Sequence, residues 1–319
     1  MTGIRLALGA MMFGITIDER TSFALLDRFV EAGGEWIDTA DCYAFWASES
    51  GYGGDSERLL GRWLKARPDA RARVKISTKV GAEPRDKDDW PASREGLSPT
   101  AVRTAAEGSL RRLGIERVDL LWAHMEDRTV PIEQTAEAFG ALVSDGLTKR
   151  VGTSNHPAWR VERARRHALE RGLRPVDALQ HSRSYLRPRP GVLPPGQNHR
   201  FGMLDDELVD LAATEKLDIW AYTPLLSGAY DNPAKPIPEA YDHPGNRRRL
   251  EVLDEVAREL GASRGQVVLA WLVGGRPSIT PILGGSKPEQ LESALEAVRL
   301  ELPEELRTRL DEVDATSPA

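Results

Sequence analysis

The chain has 319 residues, of which 40% are hydrophobic and 29% charged, and its formal net charge is −6. This length suits one α/β barrel, which typically needs about 250 residues plus insertions, better than two small domains. The mild acidic balance argues against a nucleic-acid partner and against an anionic membrane surface, because both would require a concentration of basic residues.

The cysteine content and the N-terminus bear on the compartment. Cys42 is the single cysteine, which excludes an internal disulfide framework and suits a reducing cytosol. Residues 1–9 lack a basic region followed by a long apolar stretch, so we expect no signal peptide. No apolar run approaches the roughly 20 residues that cross a bilayer. We therefore expect a cytoplasmic protein without a membrane partner.

Short apolar runs alternate with amphipathic stretches along the chain. The strand-like runs are residues 4–10, 35–39, 74–79, 118–123, 150–154, 176–180, 217–222 and 279–283. Helical patterns include residues 21–32, 100–113, 135–145, 161–170 and 204–215, and also 247–273, where a break at 261–263 predicts two helices. Eight strands, each followed by a helix, predict a single parallel (β/α)₈ barrel domain over residues 1–319.

Helix starts and two long connections refine this prediction. Ser98-Pro99 places a capping residue before a proline at the first helical position, and residues 286–289 (Ser-Lys-Pro-Glu) have the spacing of a capping box. The connections 187–201 and 224–246 are unusually long, and loops of this length are usually lids or binding loops. Both would follow strands, on the face where barrels keep their active sites. Decorative insertions are the alternative.

Polar side chains stand where several apolar runs end. Asp38, Lys79 and His124 close three successive runs, and later runs end in Ser154-Asn155, Gln180 and Tyr222. In a barrel these positions converge on one mouth. Taken singly, Asp38 could be a helix cap, Lys79 a solvated strand end and His124 a structural histidine. Their occurrence together with Tyr43, five residues beyond Asp38, favours an active site.

The motifs around these residues resemble those of the aldo-keto reductase superfamily. Residues 34–43 (Gly-Glu-Trp-Ile-Asp-Thr-Ala-Asp-Cys-Tyr), followed by 56–61 (Ser-Glu-Arg-Leu-Leu-Gly), resemble its long first signature. Residues 77–79, 119–124, 151–155 and 288–291 match later motifs in the expected order. The resemblance implies a (β/α)₈ barrel that reduces an aldehyde or ketone, a class that includes sugar-like and natural-product carbonyls, with NADPH. NADH is the less favoured cofactor, and the expected assembly is a monomer or weak homo-oligomer.

The residue types suit this chemistry. Reducing a carbonyl requires hydride delivery to carbon and protonation of the developing alkoxide. A tyrosine hydroxyl, with a reference pKa of about 10, is a poor acid unless its phenolate is stabilised. A nearby Lys79 ammonium would stabilise it, and Asp38 could keep Lys79 in place and charged. The resemblance makes Tyr43 the proton donor and His124 the group that orients the carbonyl.

Cofactor contacts are also implied by the resemblance. They are Ser154, Asn155 and Gln180 for the nicotinamide carboxamide, Tyr222 for its ring, and Gly284, Ser286, Lys287 and Gln290 for the adenosine 2′-phosphate and its surroundings. A helix opening after the last strand is a natural anion site. Where the family often has an arginine for the 2′-phosphate, this chain offers Ser286 and Lys287. No Gly-x-Gly-x-x-Gly loop follows the opening strand, which argues against a Rossmann fold.

The substrate is less constrained. Trp46, Trp90 and Met125 lie close in sequence to the predicted catalytic residues and are candidates for the pocket wall, although ordinary packing would explain each of them. Two alternative functions on the same scaffold stay open. One is that of a cofactor-binding regulatory barrel related to potassium-channel β subunits, and the other is that of a nucleotide-sugar isomerase or dehydratase. A metal-dependent hydrolase is disfavoured, because the six histidines are scattered without paired metal spacing, and we expect no metal.

Overall fold

A computed structural model describes residues 4–194, 197 and 199–314 of the chain. Its strands are β1 Ala7–Gly9, β2 Trp36–Asp38, β3 Lys75–Val80, β4 Leu120–Ala123, β5 Val151–Ser154, β6 Ala178–Ser182, β7 Asp218–Tyr222 and β8 Ile279–Gly284. Its α-helices are α1 Glu19–Glu31, α2 Asp55–Ala66, α3 Ala70–Arg73, α4 Pro99–Leu113, α5 Ile132–Ser144, α6 Ala158–Glu170, α7 Asp206–Glu215, α8 Pro244–Leu260, α9 Arg264–Val273, α10 Pro288–Ala297 and α11 Glu304–Asp311.

The strands form a closed barrel in sequence order, with β8 returning to β1, and every neighbouring pair is parallel. The predicted (β/α)₈ barrel is therefore confirmed, as is the division of 247–273 into two helices. Strand ends differ from the prediction by up to three residues. The run 4–10 contributes only Ala7–Gly9 to the sheet, because the apolar pattern continues beyond the residues that pair with β2 and β8.

Alternation along the strands places large side chains inside the barrel, below the polar ones. Trp220 packs edge-on against Trp36, with ring centroids 5.0 Å apart, and against Trp122, at 5.4 Å. Successive side chains of a strand point to opposite faces, so the residue two positions further points inward again. Asp38 follows Trp36 at this spacing, and His124 follows Trp122. The three tryptophans therefore fill the barrel interior directly below the polar side chains at its mouth.

Capping residues decide where several helices begin. The Ser98 hydroxyl accepts a hydrogen bond from Ala101 N–H and Pro99 is the first helical residue, as predicted. The capping box predicted at Ser286 is wrong, because Lys287 is the N-cap residue of α10 and its side chain makes no capping bond. A capping box is instead found at α9, where Ser263 and Gln266 satisfy each other's backbone N–H groups.

The two long connections lie where they were predicted, between β6 and α7 and between β7 and α8. Residues 195, 196 and 198 of the first connection fall outside the described part. The second connection is shorter than predicted, because Pro244 already belongs to α8. Among the helices of residues 4–194, 197 and 199–314, none combines the length and the apolar character required to cross a bilayer.

Candidate active site

The Lys79 ammonium lies at the centre of the polar mouth. Its Nζ atom donates to Asp38 Oδ2 at 2.5 Å, to the Thr39 carbonyl at 2.8 Å and to the Tyr43 hydroxyl at 3.0 Å. The side chain is 0% exposed, so water supplies none of the solvation of its charge. Its three hydrogen-bonding protons each have a protein acceptor. β3 thus presents this ammonium directly beneath the tyrosine that follows β2.

Asp38 balances the lysine and is itself held in place. Its side chain is 2% exposed, and Oδ1 accepts hydrogen bonds from the Ser77 hydroxyl at 2.7 Å and from Gln180 Nε2 at 3.3 Å. Burial alone would lower the pKa of Lys79, but the Asp38 carboxylate and the Tyr43 oxygen outweigh it and raise that pKa above its ordinary value. Lys79 is therefore a fixed positive charge at any physiological pH.

Tyr43 lies on the border between this buried pair and the open cavity. Burial raises the pKa of its hydroxyl to about 12, and the adjacent Lys79 ammonium acts in the opposite direction. The ammonium also lies 4.5 Å from the centre of the tyrosine ring. The hydroxyl consequently retains its proton at neutral pH, while any phenolate that formed would lie 3.0 Å from a positive charge.

His124 completes the group. Its ring packs edge-on against Tyr43, with centroids 5.7 Å apart, and its backbone carbonyl accepts a hydrogen bond from Asn155 Nδ2. Burial, and to a smaller extent the Lys79 charge, lower the pKa of His124 well below its ordinary value. The imidazole is therefore neutral and carries one N–H group. Its Nδ1 atom lies 3.5 Å from the Cys42 thiol.

A cavity of about 1100 Å³ opens above these four residues at the C-terminal ends of the strands. Trp46, Trp90 and Met125 line it, as does Phe45, whose ring lies 5.2 Å from that of Trp46 and 5.4 Å from that of Trp90. Trp46 is 56% exposed, so it stands at the entrance rather than in the core. One side of the cavity is therefore aromatic and close to Tyr43.

Another part of the cavity wall is polar. Ser154, Asn155, Gln180 and Tyr222 line the cavity, as the strand-end pattern predicted, and Gly284 from the predicted phosphate segment lines it as well. Three acceptor oxygens surround the Tyr222 hydroxyl: Asn155 Oδ1 at 2.7 Å, Gln197 Oε1 at 2.9 Å and the Gly202 carbonyl at 3.2 Å. This wall offers amide and hydroxyl groups beside an aromatic ring, which is the chemistry that a nicotinamide requires.

Ser286, Lys287 and Gln290 lie together at the start of α10, but none of them is among the described residues that line the cavity. The Ser286 N–H donates to Gln290 Oε1 at 2.9 Å, so the Gln290 amide already occupies one donor of this helix start. Lys287 is exposed and precedes Pro288, the first residue of α10. The predicted phosphate site is thus a group of adjacent residues outside the main cavity.

Several lining residues had no signal in the sequence. Both long connections contribute to the cavity: Pro194, Gln197 and His199 from the first, and Leu226, Ser227, Ala229, Ala234, Lys235, Pro236, Pro238 and Tyr241 from the second. Cys42 also lines it, beside Tyr43. The length of the connections indicated a role at the mouth, but only their folded path shows which side chains reach it.

The aldo/keto reductase family model matches residues 5–315. The chain belongs to the aldo/keto reductase family. Among similar proteins, an uncharacterized oxidoreductase, YrpG, of Bacillus subtilis is 29% identical over 97% of this chain and 91% of its own length. The norsolorinic acid reductase of Aspergillus flavus is 28% identical over 97% of this chain and 77% of its own length. A protein named aryl-alcohol dehydrogenase, NADP(+), from Phanerodontia chrysosporium is 28% identical over 96% of this chain and 81% of its own length.

The chain is therefore an oxidoreductase of the carbonyl-reducing type, as its family membership indicates, and this family generally uses nicotinamide cofactors. The resemblance drawn from the motifs at residues 34–43 and 77–79 is therefore confirmed at the level of the family.

Proposed function

We propose that this aldo/keto reductase reduces an aldehyde or ketone to the alcohol at the expense of NADPH, with Tyr43 as the general acid. One observation carries the proposal. The Lys79 Nζ atom lies 3.0 Å from the Tyr43 hydroxyl and 2.5 Å from the Asp38 carboxylate, inside the mouth of the barrel. This arrangement stabilises the phenolate that a tyrosine leaves behind when it gives up its proton.

The bound nicotinamide supplies the hydride. The carbonyl oxygen gains negative charge as the carbon is reduced, and the Tyr43 hydroxyl transfers its proton to that oxygen. The Tyr43 phenolate then lies beside the Lys79 ammonium, whose own charge Asp38 maintains. Because the Lys79 and Asp38 side chains are buried, the interaction of these charges is stronger than it would be in solution. Solvent entering through the cavity returns the proton to Tyr43 after the product leaves.

His124 positions the substrate in this scheme. Because the imidazole is neutral, it can donate one hydrogen bond to the carbonyl oxygen without introducing a second cation beside Lys79. Its contact with the Tyr43 ring places it next to the proton donor. The carbonyl oxygen would therefore be held between a hydroxyl and an imidazole N–H.

Two groups of residues support the cofactor preference. Ser154, Asn155 and Gln180 would bind the carboxamide, with Tyr222 against the ring, because these groups form the polar wall of the cavity. Ser286 and Lys287, at the start of α10, would bind the 2′-phosphate, where the helix dipole favours negative charge. Gln290 would have to release the Ser286 N–H as the phosphate binds. The NADP(+) in the name of the Phanerodontia chrysosporium relative supports the same preference.

The substrate class that we propose is an aryl aldehyde or ketone. Phe45, Trp46 and Trp90 present adjacent aromatic rings beside Tyr43, and Met125 extends the apolar surface. Flat aromatic compounds bury well against such rings. The relative from Phanerodontia chrysosporium that is named aryl-alcohol dehydrogenase agrees with this class.

The variant Tyr43→Phe tests the acid. Loss of a general acid costs about 10²–10⁴-fold in rate, so kcat for an aromatic aldehyde should fall by that factor while NADPH binding, followed by fluorescence, is retained. Tyr52→Phe is the matched control, because Tyr52 lies in the same loop and is exposed. A Tyr43→Phe enzyme that reduces the aldehyde at the wild-type rate would refute the assignment.

The variant Lys287→Met tests the cofactor. It should weaken NADPH binding and leave NADH binding unchanged, because only NADPH carries the 2′-phosphate. Lys65→Met, which removes an exposed lysine in the last turn of α2, is the control for a general change in charge. Equal weakening for both cofactors would contradict a 2′-phosphate contact at Lys287.

A further inference from the structure

Three groups that bind transition metals meet behind Tyr43. The Cys42 thiol, an imidazole nitrogen of His124 and a carboxylate oxygen of Asp41 all lie within 4.8 Å of one another. Thiolate, imidazole and carboxylate are the three side-chain ligand types of Zn²⁺. Asp41 and Cys42 follow β2, whereas His124 follows β4, 82 residues away in the chain. The group therefore exists only in the folded barrel.

The distance between the Cys42 sulfur and the His124 Nδ1 atom already suits a tetrahedral ion. Bonds of about 2.3 Å to sulfur and about 2.0–2.1 Å to nitrogen, at a tetrahedral angle, place the two ligand atoms roughly 3.6 Å apart. The Cys42 Sγ atom lies 3.5 Å from His124 Nδ1. Asp41 would have to approach by about 1 Å to bond the same ion, by the same arithmetic.

The approach of the Asp41 carboxylate is the one change that the site requires. The Asp41 side chain is 3% exposed, and in the described part of the chain neither of its carboxylate oxygens has a hydrogen-bond partner of acceptable geometry. Burial and the nearby Glu95 carboxyl raise the pKa of Asp41 well above its ordinary value. A buried carboxyl group that is neither satisfied by donors nor paired with a cation is costly, and a bound cation would remove that cost.

We propose that Asp41, Cys42 and His124 form a Zn²⁺ site that inhibits the enzyme. Three protein ligands leave the fourth position of a tetrahedral ion for water. Burial raises the pKa of both the Cys42 thiol and the Asp41 carboxyl. Both groups release a proton to solvent on binding, and the resulting thiolate and carboxylate balance the charge of the ion. The Lys79 ammonium does not exclude the ion, because Asp38 neutralises it at 2.5 Å.

The site lies where it would stop the reaction. Cys42 and His124 both line the main cavity, which gives the ion a route from solvent. An ion bound to Cys42 and His124, together with its water ligand, would occupy the part of the cavity next to Tyr43 that a carbonyl substrate has to enter. Zn²⁺ should therefore inhibit competitively with the carbonyl substrate, and this consequence rests on the proposed function. Binding of the ion itself does not.

Binding is measured first, without reference to activity. Tag-free, chelator-treated protein is titrated with Zn²⁺ by calorimetry and with Co²⁺ by absorption, where a thiolate ligand produces a charge-transfer band. Cys42→Val should remove the charge-transfer band. Cys42→Val and Asp41→Asn, each as a single variant, should weaken Zn²⁺ binding by more than about 100-fold. Changes to groups that only contact the ligands of a metal typically cost about 10–100-fold. His167→Gln is the control, because the half-buried His167 and its partner Glu137 form a second pair of zinc-binding side-chain types.

Inhibition is then measured with the aldehyde as the varied substrate. Competitive inhibition that a chelator reverses, and that Cys42→Val loses while His167→Gln retains it, supports the inference. A Co²⁺ spectrum without the charge-transfer band, or equal Zn²⁺ affinity in the wild type and Cys42→Val, overturns it. If aldehyde reduction itself is not observed, the spectrum and calorimetry still decide the metal site, and only the proposed function fails.

Discussion

Replacing Lys79 with methionine separates the structural role of the buried ion pair from its chemical role. The substitution leaves the Asp38 carboxylate, 2% exposed, with hydrogen bonds from Ser77 and Gln180 but without a cation. Removing one member of a buried pair typically costs about 3–5 kcal/mol. At about 2 °C per kcal/mol for a domain of this size, the unfolding midpoint should fall by roughly 6–10 °C.

A matched control lies on the same strand. Lys75, four residues earlier on β3, pairs with Glu35 at 2.6 Å, but its side chain is 48% exposed. Exposed pairs contribute only about 0–1 kcal/mol, so Lys75→Met should leave the midpoint almost unchanged. The variant Asp38→Asn combined with Lys79→Met removes both buried charges, and we expect it to be more stable than Lys79→Met alone.

Thermal unfolding followed by circular dichroism measures these differences, and aldehyde reduction is assayed in parallel at a temperature where each variant is folded. Lys79→Met and the double variant should both lose turnover, because neither can stabilise a Tyr43 phenolate. The reasoning is refuted if Lys79→Met unfolds at the wild-type midpoint, or if the double variant is the less stable of the two.

Three further predictions concern other parts of the molecule. Burial raises the pKa of Glu83 to about 7. The contribution of the protonated carboxyl to the free energy of unfolding is therefore present at acid pH and is lost as the pH rises from 4.5 through 7. Glu83→Gln should accordingly raise the unfolding midpoint more at pH 8 than at pH 4. Gly61→Ala should destabilise the protein by about 1–3 kcal/mol in urea unfolding, because a Cβ atom on α2 would lie 2.4 Å from the Arg112 carbonyl on α4. Trp46→Ala should raise KM for aryl aldehydes in steady-state kinetics, whereas Trp159→Ala, which removes a similarly exposed ring outside the cavity, should not.

The sequence alone was sufficient to predict the barrel and the polar ends of its strands. Both follow from short-range rules. Alternation with period two determines that Asp38 shares a face with Trp36 and that His124 shares one with Trp122, and closure of parallel strands brings such residues to one mouth. The motif at residues 34–43 added the family. These signals are local, so they can be read without knowing which residues meet.

The capping box predicted at Ser286 shows where local reasoning fails. The pattern of residue types is correct there, but the chain enters α10 one residue later, at Lys287, and Gln290 takes the Ser286 N–H. The geometry of entry depends on how the loop leaves β8, and that is decided by packing rather than by the four residues themselves.

Only the tertiary structure decided the walls of the cavity and the surroundings of each polar group. The two long connections reach the cavity through Gln197 and Lys235, among others, and no periodic pattern in a loop specifies which side chain does so. The contact of Cys42 with His124 joins residues 82 apart. Such pairs carry no joint signal in a single sequence, because each side chain is placed by its own strand and the distance between the strands is set by closure of the barrel.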